Sequence, residues 1–233
     1  MIYTEGNSAK QWIFSEIHRR FETSHVRILD LGCGSGVQWK RFLELHPMAH
    51  VTGIDTDQDA IEKGKKEYGR TENISLSVFD AQQSIEQTEF DVVTALSAIE
   101  HVVDRTAFIR TVWQSLKKGG VAYLNYDVGH FRSRNVKERI MVPVSHLLAY
   151  VGFESSYMKR VDDVPFLNQL EIQGFYIVRH MKHNAVCLKP NMKQGGEDAI
   201  RLWVDFETRL NELMRPEEMD PFMLSTTVVV QKP

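Results

Sequence analysis

The run Asp30-Leu31-Gly32-Cys33-Gly34-Ser35-Gly36, entered through apolar Val26-Arg27-Ile28-Leu29, sets the tightest limit on what this chain can fold into. A buried strand passes here into a glycine-rich turn, and a helix is predicted from about Val37. Glycines at alternate positions allow positive φ and let the backbone approach a ligand that a Cβ would push away. A dinucleotide fingerprint needs its third glycine one place later, where this chain has Val37. It also seats a pyrophosphate on the helix N-terminus, and Asp30 just ahead of the turn would repel that anion. A cationic ligand suits these residues better than a phosphate.

Further segments follow in an order that adds to this reading. Ala49-His50-Val51-Thr52-Gly53-Ile54-Asp55 is a second short strand ending in an acid, with Thr56 after it. Ile74-Ser75-Leu76-Ser77-Val78-Phe79-Asp80 alternates apolar and small polar residues and again ends in an acid, followed by Ala81. Phe90 to Leu96 supplies a fourth strand. Lys117-Lys118-Gly119-Gly120 reads as a helix stop ahead of a fifth, Val121 to Tyr126. An Asp after a strand is also a common helix N-cap, a role open to Asp55 and Asp80 alike. Their conjunction with the glycine turn points to a site, because ligands bind at the carboxyl ends of strands in such sheets.

From Val26 to Tyr126 this motif order resembles that of class I S-adenosylmethionine-dependent methyltransferases. The resemblance implies S-adenosylmethionine as cofactor, S-adenosylhomocysteine as its product, and a Rossmann-like fold. It implies cofactor contacts from Asp30, Gly32, Cys33, Gly34, Gly36, Asp55, Thr56, Asp80, Ala81 and Leu96. In the family the acid at Asp55 takes the ribose hydroxyls. The acid at Asp80 takes the adenine amino group, the amide of Ala81 meets the ring, and the fourth strand walls the methionine moiety.

Strands alternating with helices imply an α/β fold with parallel pairing. The expectation is a mostly parallel seven-stranded sheet with helices on both faces and an antiparallel last strand. Predicted helices run from about Asn7 to Phe21, from Val37 to before Pro47, from Asp57 or Asp59 to Tyr68, from Arg105 to Lys117 with Gly119 as stop, and from Glu197 to Met214. A sixth strand is expected at Tyr176 to Met181 and a last one near Thr226 to Val230. The 233 residues suit a single domain, 1–233, in which 127–165 and 187–222 are expected as insertions roofing the substrate pocket. A net charge of −3 gives no general attraction to nucleic acid or anionic membrane. Two cysteines make no disulfide framework, and Cys33 reads as a small buried filler. No secretion signal or membrane-length stretch is visible, so a reduced, cytoplasmic setting is expected.

Methyl transfer from a sulfonium needs a general base only when the acceptor carries a proton. His101, just beyond the fourth strand, is the candidate for that role, since an imidazole titrates near neutrality. Tyr126, His130 and Trp203 are candidates to line the substrate pocket. Ser97-Ala98-Ile99-Glu100-His101 resembles the Glu-x-x-Glu-His segment of some methyltransferases that hold a divalent metal. Ser97 replaces the first carboxylate, so no metal is expected. The expected reaction is methylation of an oxygen or nitrogen of a small-molecule acceptor. The alternatives are an RNA- or protein-directed methyltransferase using the basic stretch Arg132 to Arg139, or a catalytically silent S-adenosylmethionine-binding module. Oligomeric state is not legible.

Overall fold

The computed structural model describes residues 6–22, 24–69, 71–83, 85, 89–127, 144, 157–188, 192 and 194–233. Its strands are β1 (Val26–Leu31), β2 (Ala49–Asp55), β3 (Ile74–Val78), β4 (Phe90–Leu96), β5 (Leu116–Asp127), β6 (Tyr176–Ala185) and β7 (Met223–Gln231). They form one sheet in the order β3-β2-β1-β4-β5-β7-β6. The first five pair in parallel, and β7 runs antiparallel to both β5 and β6. This is the Rossmann-like sheet anticipated, with the last strand inserted beside the edge rather than at it. Strand order reverses on either side of β1, and that reversal opens a crevice above the carboxyl ends of β1 and β4.

The helices are α1 (Ser8–Arg20), α2 (Lys40–Leu45) after a 3-10 turn at Val37–Trp39, α3 (Gln58–Tyr68), α4 (Arg105–Ser115), α5 (Asp163–Gln173), α6 (Gly196–Leu213) and α7 (Pro216–Met219). Side chains do the capping at three starts: Asn7, Asp57 and Asp104 accept from the N–H groups of Lys10, Ala60 and Ala107. Each sheet face buries its own apolar layer. Ile13, Phe14, Ile17, Trp39 and Phe42 cover one side, and Phe108, Ile109, Val112, Phe166 and Leu170 the other.

Several element ends differ from expectation, among them β5, which starts at Leu116 rather than Val121, and β7, which starts at Met223. Helix α4 stops at Ser115 rather than Lys117, because Leu116 is already extended and in register with Phe90. The chain end is responsible for holding it there. Lys232 Nζ donates to the carbonyls of Trp113 (2.8 Å) and Leu116 (2.7 Å), and Gly119 N–H donates to Lys232 O (2.8 Å). Strand β6 continues past Met181 to Ala185 through three buried polar residues, Lys182, His183 and Asn184. Lys182 and Asn184 are tolerated there because each side of the sheet offers their side chains partners.

On one face Tyr126, Thr226 and Lys182 stand in register across β5, β7 and β6. Lys182 Nζ, in a residue 3% exposed, donates to Thr226 Oγ1 (3.0 Å) and pairs with Asp163 (2.5 Å) and Asp220 (2.6 Å). Asp163 also accepts from Tyr126 OH (2.8 Å) and faces His180 Nε2 (2.9 Å). On the other face the buried Glu207 of α6 accepts from Ser8 Oγ (2.5 Å), Trp203 Nε1 (2.5 Å), and the N–H groups of Asn184 (3.0 Å) and Ala185 (2.7 Å). Helix α6 is thereby fastened to α1 and to the end of β6.

Burial would raise the Asp163 carboxyl, but hydrogen bonds from His180 and Lys182 and the Lys182 charge overcome it and hold the group well below the usual range. A depressed carboxyl contributes stability that is present above its unfolded value, about 3.9, and is lost as pH falls through the folded one. Replacing Asp163 by Asn should therefore cost about 3 kcal/mol at pH 7, because buried Lys182 loses one of its two carboxylate partners and keeps Asp220. Urea melts should show that difference shrinking below about pH 4.

Candidate active site

A cavity of about 870 Å³ opens at the carboxyl edge of the sheet, within the range of small-molecule sites. Strand tips supply most of its wall: Gly32 after β1, Ile54 to Asp59 after β2, Phe79 to Gln82 after β3, and Ser97, Ala98, His101 and Val102 after β4. Phe108 of α4 closes the far side.

The glycine turn is tied to the end of β2. Both Gly32 and Cys33 N–H donate to Ile54 O (2.9 and 3.0 Å), and Gly34 N–H donates to Asp55 Oδ2 (2.7 Å). Asp57 N–H takes Asp55 Oδ1 (2.9 Å). Among the described residues each Asp55 oxygen thus accepts one bond, which leaves lone pairs for a ligand hydroxyl. The glycines serve different ends. At Gly32 (φ +73°) a Cβ would sit 2.5 Å from Ala98 Cβ, so the residue permits close packing of the turn on the β4 tip. At Gly34 (φ +56°) a Cβ would meet nothing within 4 Å; the space beside it is open, and the residue stands outside the cavity lining.

Asp80 orders the β3 tip by accepting Gln82 N–H at Oδ1 (2.8 Å), and Gln82 Oε1 accepts Asp104 N–H (2.6 Å). With Asp55, Asp57 and Asp59, it gives the wall four carboxylates. Such a lining favours a cation and opposes phosphates. The cavity therefore fits an adenosyl group with a positively charged tail better than a dinucleotide.

Beyond β4 the chain turns through Ser97, a non-glycine residue at φ +61° whose N–H donates to Asn125 O (2.9 Å). This turn lays Ala98 on Gly32 and leads into a 3-10 turn, Ile99–His101. His101 Nδ1 lies 3.0 Å from Tyr157 O. A carbonyl can only accept, so Nδ1 carries the proton and the neutral ring has its lone pair on Nε2. Its neighbour Glu100 is 1% exposed, with Oε1 accepting Asp127 N–H (3.3 Å), and burial holds its carboxyl above the usual range.

Of the residues singled out from sequence, the cavity gathers Gly32, Asp55, Thr56, Asp80, Ala81 and His101. Several others lie elsewhere. Asp30 is fully buried, accepting from Trp39 Nε1 (2.7 Å), Gln38 Nε2 (2.8 Å) and Thr94 Oγ1 (2.7 Å), so its carboxylate anchors the turn from behind. Cys33 and Leu96 are buried in the core, and burial drives the Cys33 thiol far above its ordinary value. Gly36 packs against Leu76, 3.1 Å from where its Cβ would be. Tyr126 is buried in the core with its hydroxyl on Asp163, outside the cavity lining, and burial with that carboxylate pushes its phenol well up. Trp203 is turned inward to Glu207, and none of the described residues of 187–222 lines the cavity. His130 and the basic stretch Arg132 to Arg139 lie outside the described residues. Phe79, Gln82, Ser97, Val102 and Phe108 were not foreseen in the wall. Phe79 alone carried a signal, standing next to a strand-end acid. Among the described residues no group of three or more His, Cys, Asp or Glu side chains gathers to hold a metal, and no helix is long and apolar enough to cross a membrane.

Comparison with known proteins agrees with this geometry. Residues 29–124 match the family described as methyltransferase domain. Over 162 residues the chain is 27% identical to a ubiquinone biosynthesis O-methyltransferase of Idiomarina loihiensis, covering 64% of each protein. It is 29% identical over 174 residues to the enzyme of the same name from Paraburkholderia phymatum, covering 71% of this chain and 66% of that one. The chain thus spans just under two thirds of the length of these curated relatives. An S-adenosylmethionine-dependent methyltransferase structure from Mesorhizobium loti superposes with a TM-score of 0.62 at 18% identity, over 96% of this chain and 98% of that one. Residues 29–124 thus match a methyltransferase domain, and the sheet around them has the Rossmann-like fold of S-adenosylmethionine-dependent methyltransferase structures.

Two glycines of the turn should part company under substitution. Gly34→Ala should cost about 1 kcal/mol, the price of a side chain at positive φ. Gly32→Ala adds an overlap with Ala98 and should cost about 3 kcal/mol. Chemical denaturation of the two variants measures the difference.

Proposed function

We propose that the chain transfers a methyl group from S-adenosylmethionine to an oxygen or nitrogen of a small-molecule acceptor, with His101 as general base. The name shared by the curated relatives favours oxygen. The observation that carries the reading is the convergence of Gly32, Asp55, Asp80 and His101 on one cavity. In this reading Asp55 accepts the ribose hydroxyls, Asp80 and the Ala81 amide meet the adenine, and the open side of Gly34 admits the cofactor backbone. Thr56 flanks the ribose at the rim.

When bound, the cofactor supplies a methyl already activated by the sulfonium, so the protein's work is placement and proton removal. His101 is suited to the second task. Its Nδ1–H is engaged by Tyr157 O, and its Nε2 lone pair is free to take the proton of a hydroxyl as the oxygen attacks. Val102 and Phe108 give the wall beside it an apolar surface against which an acceptor can pack.

Calorimetry should register binding of S-adenosylmethionine and of its demethylated product. Methyl label should pass from the cofactor into members of a phenol and carboxylic-acid panel; binding of NADH in their place would sink the reading. Asp55→Ala should weaken binding of the product by about 2 kcal/mol, roughly thirtyfold, by removing the charged acceptor. Gly34→Val should weaken it further. His101→Ala should lower kcat by about 10²-fold or more while leaving cofactor affinity unchanged, and an unaltered kcat would remove His101 from the chemistry.

A further inference from the structure

We propose that Arg105 is a positioning residue that selects the protonation tautomer of His101 without touching the cavity. The inference rests on the reading of His101 as base. Arg105 opens α4, four residues after His101, and its guanidinium reaches three backbone carbonyls. Nε donates to Ile99 O (3.4 Å), Nη1 to Arg160 O (3.1 Å) and Nη2 to Lys159 O (2.5 Å). Lys159 N–H returns a bond to Glu100 O (2.8 Å).

Arg105 therefore clamps two stretches that are far apart in sequence, the 3-10 turn Ile99–His101 and the segment Tyr157–Arg160. That clamp sets where Tyr157 O lies, and Tyr157 O is what takes the proton of His101 Nδ1. The segment is anchored at its other end by Val161, 3% exposed in the core beside Phe166. Without the guanidinium, the turn and the segment lose these three ties, and the Lys159 N–H to Glu100 O bond remains. An imidazole with no fixed acceptor at Nδ1 can carry its proton on either nitrogen, and a proton on Nε2 abolishes its use as base toward the cavity. Planar, forked donors reaching several carbonyls are what Arg offers and Lys does not.

Long-range proton–nitrogen spectra of histidine-labelled full-length protein read the tautomer directly, with the His101 signals assigned by their loss in His101→Gln. The wild type should show neutral His101 protonated on Nδ1. Arg105→Gln should show a tautomer mixture, with kcat lowered about ten- to a hundredfold and calorimetric affinity for S-adenosylhomocysteine unchanged. Arg105→Lys should fall between the two. Should Arg105→Gln lose S-adenosylhomocysteine binding altogether, Arg105→Lys becomes the deciding variant. An Nε2–H tautomer in the wild type, or a wild-type tautomer in the deciding variant, overturns the proposal. A shifted tautomer with unaltered kcat leaves the clamp standing and instead defeats the reading of His101 as base.

Discussion

The bonds between the glycine turn and the end of β2 are the constraint on which the site depends. Ile54 O accepts two successive turn N–H groups, and Asp55 accepts the third. Three donors of a strained loop are thereby satisfied by the neighbouring strand tip, so the loop can keep positive φ at Gly32, Gly34 and Gly36 without orphaned amides. The same contacts fix Asp55 relative to the turn, so a ligand that meets one meets the other. Gly53 makes the register possible: a Cβ there would lie 2.6 Å from Leu76 and 2.8 Å from Cys33 Sγ.

Charge on the turn is divided between the inside and the cavity. Asp30 and Asp55 look equivalent in the sequence, each an acid at a strand end. Asp30 belongs to β1, which is covered on both faces, and its carboxylate is enclosed by Trp39, Gln38 and Thr94. Burial raises its pKa, and those donors offset part of the shift. Asp55 sits one strand closer to the edge, half-buried, and among the described residues backbone N–H groups are the donors that reach it. Position in the sheet, rather than residue type, decides which acid faces the ligand.

That distinction marks the boundary of what the sequence discloses. The parallel strands, their order of appearance and the acids at β2 and β3 were legible because strand periodicity and turn chemistry are local. Which side of a strand meets a partner from elsewhere was not. Tyr126 and Trp203 are aromatic residues near the carboxyl edge, and each is claimed by a carboxylate distant in the chain, Asp163 and Glu207. Helix α6 has a clear apolar face, yet its direction is fixed by Glu207, whose four hydrogen-bond donors come from α1, β6 and α6 itself. Nothing in the helix's own periodicity announces that.

In the proposed reading, the part of the cavity that takes the acceptor is built differently from the part that takes the cofactor. On the cofactor side, parallel strands deliver Gly32, Asp55 and Asp80 as a consequence of the fold, and any sequence with that sheet would place its loop tips there. On the acceptor side, the 3-10 turn carrying His101 is only three residues long and buries Ile99 and Glu100 beneath it. A turn so short has little orientation of its own. Its direction comes from Ser97 at positive φ before it and from the Tyr157–Arg160 segment beside it, bound by backbone carbonyls to Arg105. Specificity for the acceptor can change by altering that segment while the sheet and its cofactor pocket stay as they are, which is how one scaffold accommodates many acceptors.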